Sequence, residues 1–220
     1  MATKQNYLLL FVSLCAGAVM QRSCHQPSQD ANLSSPLVQS QVAAQADDTI
    51  QSIRKKAALH YPGKSVAEAD QLEAEAEASE NLNKTSGDKK KSIAASQFLG
   101  YYFANTTVYT DICNGNNVDV HAYVNPFKSE HTDVKQAALD VLAKSSLHVT
   151  PAQLDQLFAA QEHSFVPMLT ARLQQLATLD HKSSTADGCR MLANHGAEIA
   201  GNMIISKTNP PVYGELMPAP

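Results

Sequence analysis

Residues 109–124 read YTDICNGNNVDVHAYV, and the conformation of this stretch decides the fold class. On one interpretation it ends a helix, because Asn114-Gly115 tolerates the positive φ that often stops a helix. Upstream of it, the side chains that could form one helical face recur every three or four positions. These positions are Ala95, Phe98, Tyr102, Thr106, Tyr109 and Cys113.

The same region also carries the signals of a β-hairpin over residues 105–124. Residues 106–112 are rich in β-branched and aromatic side chains, and apolar residues alternate with polar ones over 118–124. An Asn-Gly pair between two such runs is typical of a hairpin turn. However, the loop over 113–117 is longer than a two-residue turn, and no third strand is evident to stabilise a lone hairpin. The helix is therefore favoured, and an α+β fold with this hairpin is the alternative.

The remaining pattern predicts an all-α, compact helical bundle with a core domain over residues 89–207. Asn125-Pro126 and Thr150-Pro151 are typical helix starts, since proline is favoured at the first helical position. Gln153 completes a capping box with Thr150. Together with the apolar stripes between these starts, the pattern indicates about five core helices.

One disulfide is expected to staple this bundle. Three cysteines follow the small-x-small motif at residues 16–18, namely Cys24, Cys113 and Cys189. In an oxidising compartment the two that lie within the folded region should bond. No Cys-x-x-Cys motif is present, so a structural bridge is favoured over a redox-active pair. The role of Cys24 stays open.

The N-terminus resembles an export signal in its composition. Lys4 precedes an apolar run at residues 7–14, and a small-x-small cleavage site follows at 16–18, so residues 1–18 are predicted to be a signal peptide. The run is shorter than the roughly 20 residues of a transmembrane helix. The alternative is a lipid anchor at Cys15 or Cys24, but each lacks part of the pattern that lipidation requires. A periplasmic or secreted location follows, with lipid anchoring in the cell envelope as the alternative.

Three further segments complete the predicted organisation. Residues 19–35 are polar and without period, which predicts a disordered leader. Residues 36–88 are expected to form a first helix and then a charged helical spacer. In that spacer only Leu72 and Leu82 offer large apolar side chains, so solvation is favoured over docking to a partner. Residues 208–220 are proline-rich and are predicted to be an extended tail.

Composition and motifs exclude several classes of function. A net charge of −4 argues against nucleic acid as a partner. No Gly-x-Ser-x-Gly, phosphate-binding glycine loop or close pair of histidines is present, so no catalytic motif, metal site or cofactor is predicted. The preferred function is therefore a non-enzymatic binding or protein-interaction protein, immunity- or inhibitor-like, whose partner is another envelope or secreted protein. The alternative is a secreted hydrolase that combines His121, His131 or His163 with a carboxylate.

The candidate binding residues lie in the aromatic run before the opening stretch or within that stretch. The region holds more aromatic rings than one side of a helix can bury, so some must face outward. Core packing with incidental surface rings is the preferred interpretation, and a surface that contacts a partner or a small ligand is the alternative. These candidates are Tyr101, Tyr102, Phe103, His121 and Tyr123.

Overall fold

The computed structural model describes residues 36–145 and 150–217, with side chains described from residue 40 onward. All regular secondary structure in these residues is helical, which confirms the predicted all-α bundle. None of the described helices combines the length and the apolar composition needed to cross a membrane. The predicted signal peptide, the polar leader and Cys24 lie outside the described residues.

The described helices share one hydrophobic core. In chain order they are α1 (Pro36–His60), α2 (Val66–Asn83), α3 (Gly87–Phe103), a π-helical segment (Ala104–Val108), α4 (Tyr109–Gly115), α5 (His121–Glu130), α6 (Thr132–Lys144), α7 (Pro151–Ala177), a 3-10 turn (Thr178–Asp180), α8 (Thr185–Asn194), α9 (Gly196–Asn202), α10 (Ile205–Thr208) and α11 (Pro210–Leu216).

Helix α3, the π-helical segment and α4 form one unbroken helix, so the hairpin at 105–124 is not formed. The helix stops where the chain adopts φ +57° at Asn117. There the N–H of Val118 bonds to the carbonyl of Cys113, and the N–H of Asn117 bonds to that of Asn114. This is a Schellman motif. The predicted left-handed stop is therefore present, but Asn117 rather than Asn114-Gly115 provides it.

Helix α7 is the longest of the described helices and packs against α1 and α8. Its capping box forms as predicted, with the Thr150 side chain accepting from the backbone of Gln153. Proline in a helix interior usually kinks or ends the helix, but α7 continues through Pro167. Helix α3 packs against α6 and α11 on other sides of the core.

The predicted solvated spacer is instead a packed helix. Helix α2 contacts α1, α3 and α7 and buries one face of small side chains. Because alanine contributes little to an apolar pattern, this face was not evident from the sequence. Its buried apolar residues are Ala67, Ala69, Ala74, Ala78 and Leu82.

The charges of α2 also find partners within the chain, on the C-terminal half of α1. Arg54 Nε lies 3.3 Å from an Asp70 oxygen, and Lys56 Nζ lies 2.5 Å from a Glu77 oxygen. His60 and Glu73 approach to 2.7 Å. The acidic side chains of α2 therefore form ion pairs with α1. The two helices form a hairpin, here called the α1–α2 hairpin.

The tail over 208–220 is not extended in its described part, because Pro210–Leu216 forms α11. Two prolines at the first helical positions preset the backbone for a helix, and the Asn209 side chain accepts from the N–H of Val212. Val212 and Leu216 are buried, and Glu215 pairs with Lys90 of α3 at 2.8 Å.

Candidate functional site

The predicted disulfide bond is present and links α4 to α8. Cys113 and Cys189 are bonded, with their Cα atoms 5.5 Å apart, and both are fully buried. The bridge crosses the packed interior, so its role in the described structure is structural.

The five predicted binding residues do not form one surface. Tyr101 and Tyr123 are fully buried, Tyr102 and Phe103 are half-buried, and His121 is exposed. The two buried tyrosines are corrections to the expected contact surface, because the helices that follow in the chain cover them.

The buried tyrosines belong to a polar cluster around the π-helical segment. The Tyr123 hydroxyl donates to Asn105 Oδ1 at 2.6 Å, and Asn105 Nδ2 donates to the Tyr101 carbonyl at 2.8 Å. The Tyr101 hydroxyl donates to the carbonyl of Met203, which follows α9. A π-type insertion shifts the side chains after it around the helix, and such insertions are frequent at functional sites. Here every one of these side chains has a protein partner, so the cluster joins three helices rather than leaving a reactive group.

The two half-buried aromatic residues have separate neighbours. The ammonium of Lys135 lies 4.6 Å from the ring centre of Tyr102, in a cation–π contact. The ring of Phe103 stacks on Phe158 of α7 with centroids 4.9 Å apart. Each keeps part of its surface exposed, so these two residues remain available for contact.

His131 is held by backbone groups on both sides of its ring. Nδ1 lies 2.8 Å from the Phe127 carbonyl, and Nε2 lies 3.1 Å from the backbone N–H of Ile205. A carbonyl can only accept and an N–H can only donate, so the proton is on Nδ1 and Nε2 is the acceptor. Burial lowers the pKa of His131, which keeps the ring neutral. The geometry makes it a structural link between α5 and α10.

Ser164, His163 and Asp47 come together between α7 and α1. Ser164 Oγ donates to Asp47 at 2.5 Å, while His163 Nε2 lies 3.3 Å from Ser164 Oγ and 3.4 Å from Asp47. In a catalytic triad the serine faces one histidine nitrogen and the carboxylate faces the other. Here the serine proton points to the carboxylate, and one nitrogen faces both partners. The hydrogen bond that Asp47 accepts from Ser164 lowers the pKa of its carboxyl group.

His121 has only a local partner. Its Nδ1 lies 2.5 Å from Asp119 two residues earlier, and both side chains are more than two-thirds exposed. Within residues 36–145 and 150–217, no three His, Cys, Asp or Glu side chains are grouped closely enough to hold a metal ion.

Sequence reasoning missed Arg172, a charged residue with only 2% of its surface exposed. Its Nη1 donates to Gln175 at 2.8 Å, whereas Nε and Nη2 have no protein acceptor. Burial lowers the pKa of this guanidinium, while the charges of Glu75 and Asp70 on α2 oppose the shift. The sequence did contain one indication that Arg172 is buried. It lies three residues after Leu169, which places it on the buried stripe of α7.

Sequence reasoning also missed an exposed apolar pair at the turn of the α1–α2 hairpin. Leu59 is 71% exposed and Val66 is 70% exposed, on either side of the turn. In the described residues the other large hydrophobic side chain that is more than a third exposed is Leu179, at 38%. Leu59 lies two positions after the buried Ala57, which places it on the opposite side of α1. We call the surface formed by Leu59 and Val66 the hairpin tip.

Comparison of the chain with protein-family models, curated proteins and solved structures finds no match.

Proposed function

We propose that this protein is an exported, non-enzymatic interaction protein that binds another envelope or secreted protein through the hairpin tip. The observation that carries the proposal is the exposure of Leu59 and Val66 on either side of the turn between two paired helices. Export rests on the composition of residues 1–18, and the Cys113–Cys189 bridge is compatible with an oxidising compartment.

A partner that covers the hairpin tip removes apolar surface from water, which favours binding. Moving a fully exposed leucine or valine out of water contributes about 1.5–3 kcal/mol per side chain. The helices that present these side chains are already fixed by ion pairs between α1 and α2, so little further ordering opposes binding. A preformed apolar tip of this kind is suited to an immunity- or inhibitor-like contact, in which one protein covers part of another.

The test compares partner recovery for three forms of the full chain, expressed with export and purified from the cell envelope after chemical crosslinking. The first form is wild type, the second is Leu59→Asp with Val66→Asp, and the third is the control Leu179→Asp. The control adds a charge at an exposed leucine on a different element, the 3-10 turn after α7. We expect the same protein to be crosslinked to wild type and to the control and to be lost from the tip variant. Equal recovery from the tip variant would contradict the proposal.

The alternative is a hydrolase that uses Ser164, His163 and Asp47. The observation that favours it is the contact between these side chains across α1 and α7. The hydrogen bond from serine to Asp47 must first be exchanged for one to His163 before the serine could act as a nucleophile. Hydrolysis of chromogenic esters that is abolished by Ser164→Ala, at unchanged thermal stability, would support this function over the first.

A further inference from the structure

The α1–α2 hairpin is packed on the rest of the molecule across a surface that contains buried polar groups. On the hairpin these include Asp70, with 3% of its surface exposed. On the opposite side Gln97 of α3 and Ser164 and Arg172 of α7 are at most 5% exposed. Gln161 lies one helical turn before Ser164 and is fully buried. We call this surface the seam, and the remaining helices from α3 onward the body.

Hydrogen bonding across the seam is incomplete. Gln97 Nε2 donates to the Ala78 carbonyl at 3.3 Å, and Ser164 donates to Asp47. Gln97 Oε1, both amide atoms of Gln161 and two nitrogens of Arg172 have no protein partner. Each such atom either lacks a hydrogen bond or keeps water within the seam. In both cases the seam is weaker per unit area than a dry apolar contact.

Buried charge adds to this effect. Burial raises the pKa of Asp70 and of Glu75 on α2, and it lowers that of Arg172 on α7. These directions mean that the charged form of each group is less stable inside the molecule than in water. The desolvation of charges therefore opposes closure of the seam.

Elements on each side of the seam are also linked among themselves. Within the hairpin, α1 and α2 pack against each other and are joined by ion pairs. The body is closed by the Cys113–Cys189 bridge. Only residues 84–86 connect α2 to α3, and Gly87 follows them with φ +59°. Residues 84–86 are therefore placed to act as a hinge between the hairpin and the body.

We propose that the α1–α2 hairpin is a hinged unit that opens from the body as a whole while the body stays folded. Opening exposes Arg172 and the polar faces of α3 and α7 to solvent. The inference does not depend on the hairpin tip, because it concerns the opposite, buried face of the hairpin.

Thiol labelling of buried cysteines tests this inference. In the full oxidised chain carrying Cys15→Ser and Cys24→Ser, one variant is Ala78→Cys, at a seam position with 4% exposure, and its matched control is Ala138→Cys, fully buried in α6. If the hairpin opens by itself, Ala78→Cys reacts at least about tenfold faster than the control, because a local opening requires less free energy than global unfolding. A smaller ratio, at equal melting temperatures, overturns the proposal.

Hydrogen exchange of the unsubstituted protein gives a second measurement that no substitution can disturb. We expect backbone amides of residues 74–82 in α2 to exchange at least about tenfold faster than those of residues 189–192 in α8. If both segments exchange at the same rate, the hairpin opens only with the whole molecule, and the proposal is wrong even where a cysteine variant fails to fold.

Discussion

Replacement of Gly188 by alanine should strongly destabilise the fold, because α8 touches α7 through this glycine. A Cβ atom at Gly188 would lie 2.0 Å from the carbonyl oxygen of Leu173 and 2.5 Å from its carbonyl carbon. Ordinary contacts between such atoms are about 3.5–4.0 Å. The clash is with backbone, so no side-chain rotation can relieve it, and the two helices must move apart by about 1.5 Å to restore that spacing.

The expected cost follows from two opposed effects. Alanine is favoured over glycine within a helix by about 1 kcal/mol. Forcing an additional methyl group into a packed interior costs about 1–3 kcal/mol, and more when backbone must shift. The Cys113–Cys189 bridge holds the adjacent residue of α8, which limits the movement that could relieve the clash. Because backbone must shift, we expect the clash to cost about 3–5 kcal/mol, at or above the top of that range. After subtraction of the helix preference for alanine, Gly188→Ala should lower the free energy of unfolding by about 2–4 kcal/mol.

Urea denaturation followed by far-ultraviolet circular dichroism measures this change. The matched control is Gly201→Ala in α9, where a Cβ atom would meet nothing within 4 Å. The control should be unchanged or more stable by up to about 1 kcal/mol. If Gly188→Ala were within about 0.5 kcal/mol of wild type, which is the range of neutral surface substitutions, the close approach of α7 and α8 would be refuted.

Three further predictions address the bridge, the buried cluster and the buried histidine. Replacing Cys113 and Cys189 by alanine should destabilise the protein by up to about 4.5 kcal/mol, because the bridge closes a loop of 76 residues. Chemical denaturation of the oxidised wild type and of the substituted protein measures this difference. Equal stability of the two proteins would contradict the prediction. Tyr123→Phe and Asn105→Ala should each cost about 1–3 kcal/mol and the double variant less than their sum, because they remove the same buried hydrogen bond. As the pH falls below about 6.5, the unfolded state takes up a proton before His131, whose folded pKa is lowered, so stability should fall. Urea titrations at several pH values should show this loss in wild type and not in His131→Asn.

The sequence predicted the central helix because its periodicity is strong. Side chains from Phe98 to Cys113 repeat at helical spacing, and that pattern outweighed the β-branched run within it. The exact stop was missed because Asn114, Asn116 and Asn117 all tolerate a left-handed backbone, and only the hydrogen bonds of the Schellman motif distinguish between them.

Helix α2 shows why a polar pattern can hide a buried face. Most of its buried apolar side chains are alanines, whose small apolar area gives only a weak contrast with the charged residues at neighbouring positions. Its charges also looked solvated because their partners lie far away in the sequence, for example 21 residues between Lys56 and Glu77. Pairing of this kind depends on the tertiary fold, so local sequence patterns do not contain it.

The candidate contact residues were misplaced for a related reason. Periodicity shows that some aromatic rings must point away from the face that α3 presents to one neighbour, but it does not say how many neighbours surround the helix. Tyr101 is covered because residues after α9 accept its hydroxyl hydrogen bond, 102 positions further along the chain. A helix surrounded on several sides can bury aromatic residues all round.

The hairpin tip and the seam lie on the same structural unit, and this imposes a thermodynamic condition on any partner. A protein that binds Leu59 and Val66 equally well in the closed and open forms cannot change the opening equilibrium, however tightly it binds. A partner that also contacts the body beside the tip would favour the closed form and slow the labelling of Ala78→Cys. A partner that needs the buried face of the hairpin would favour the open form and accelerate that labelling. Measuring the labelling rate with and without the crosslinked partner therefore distinguishes a passive contact at the tip from one that controls the hinge.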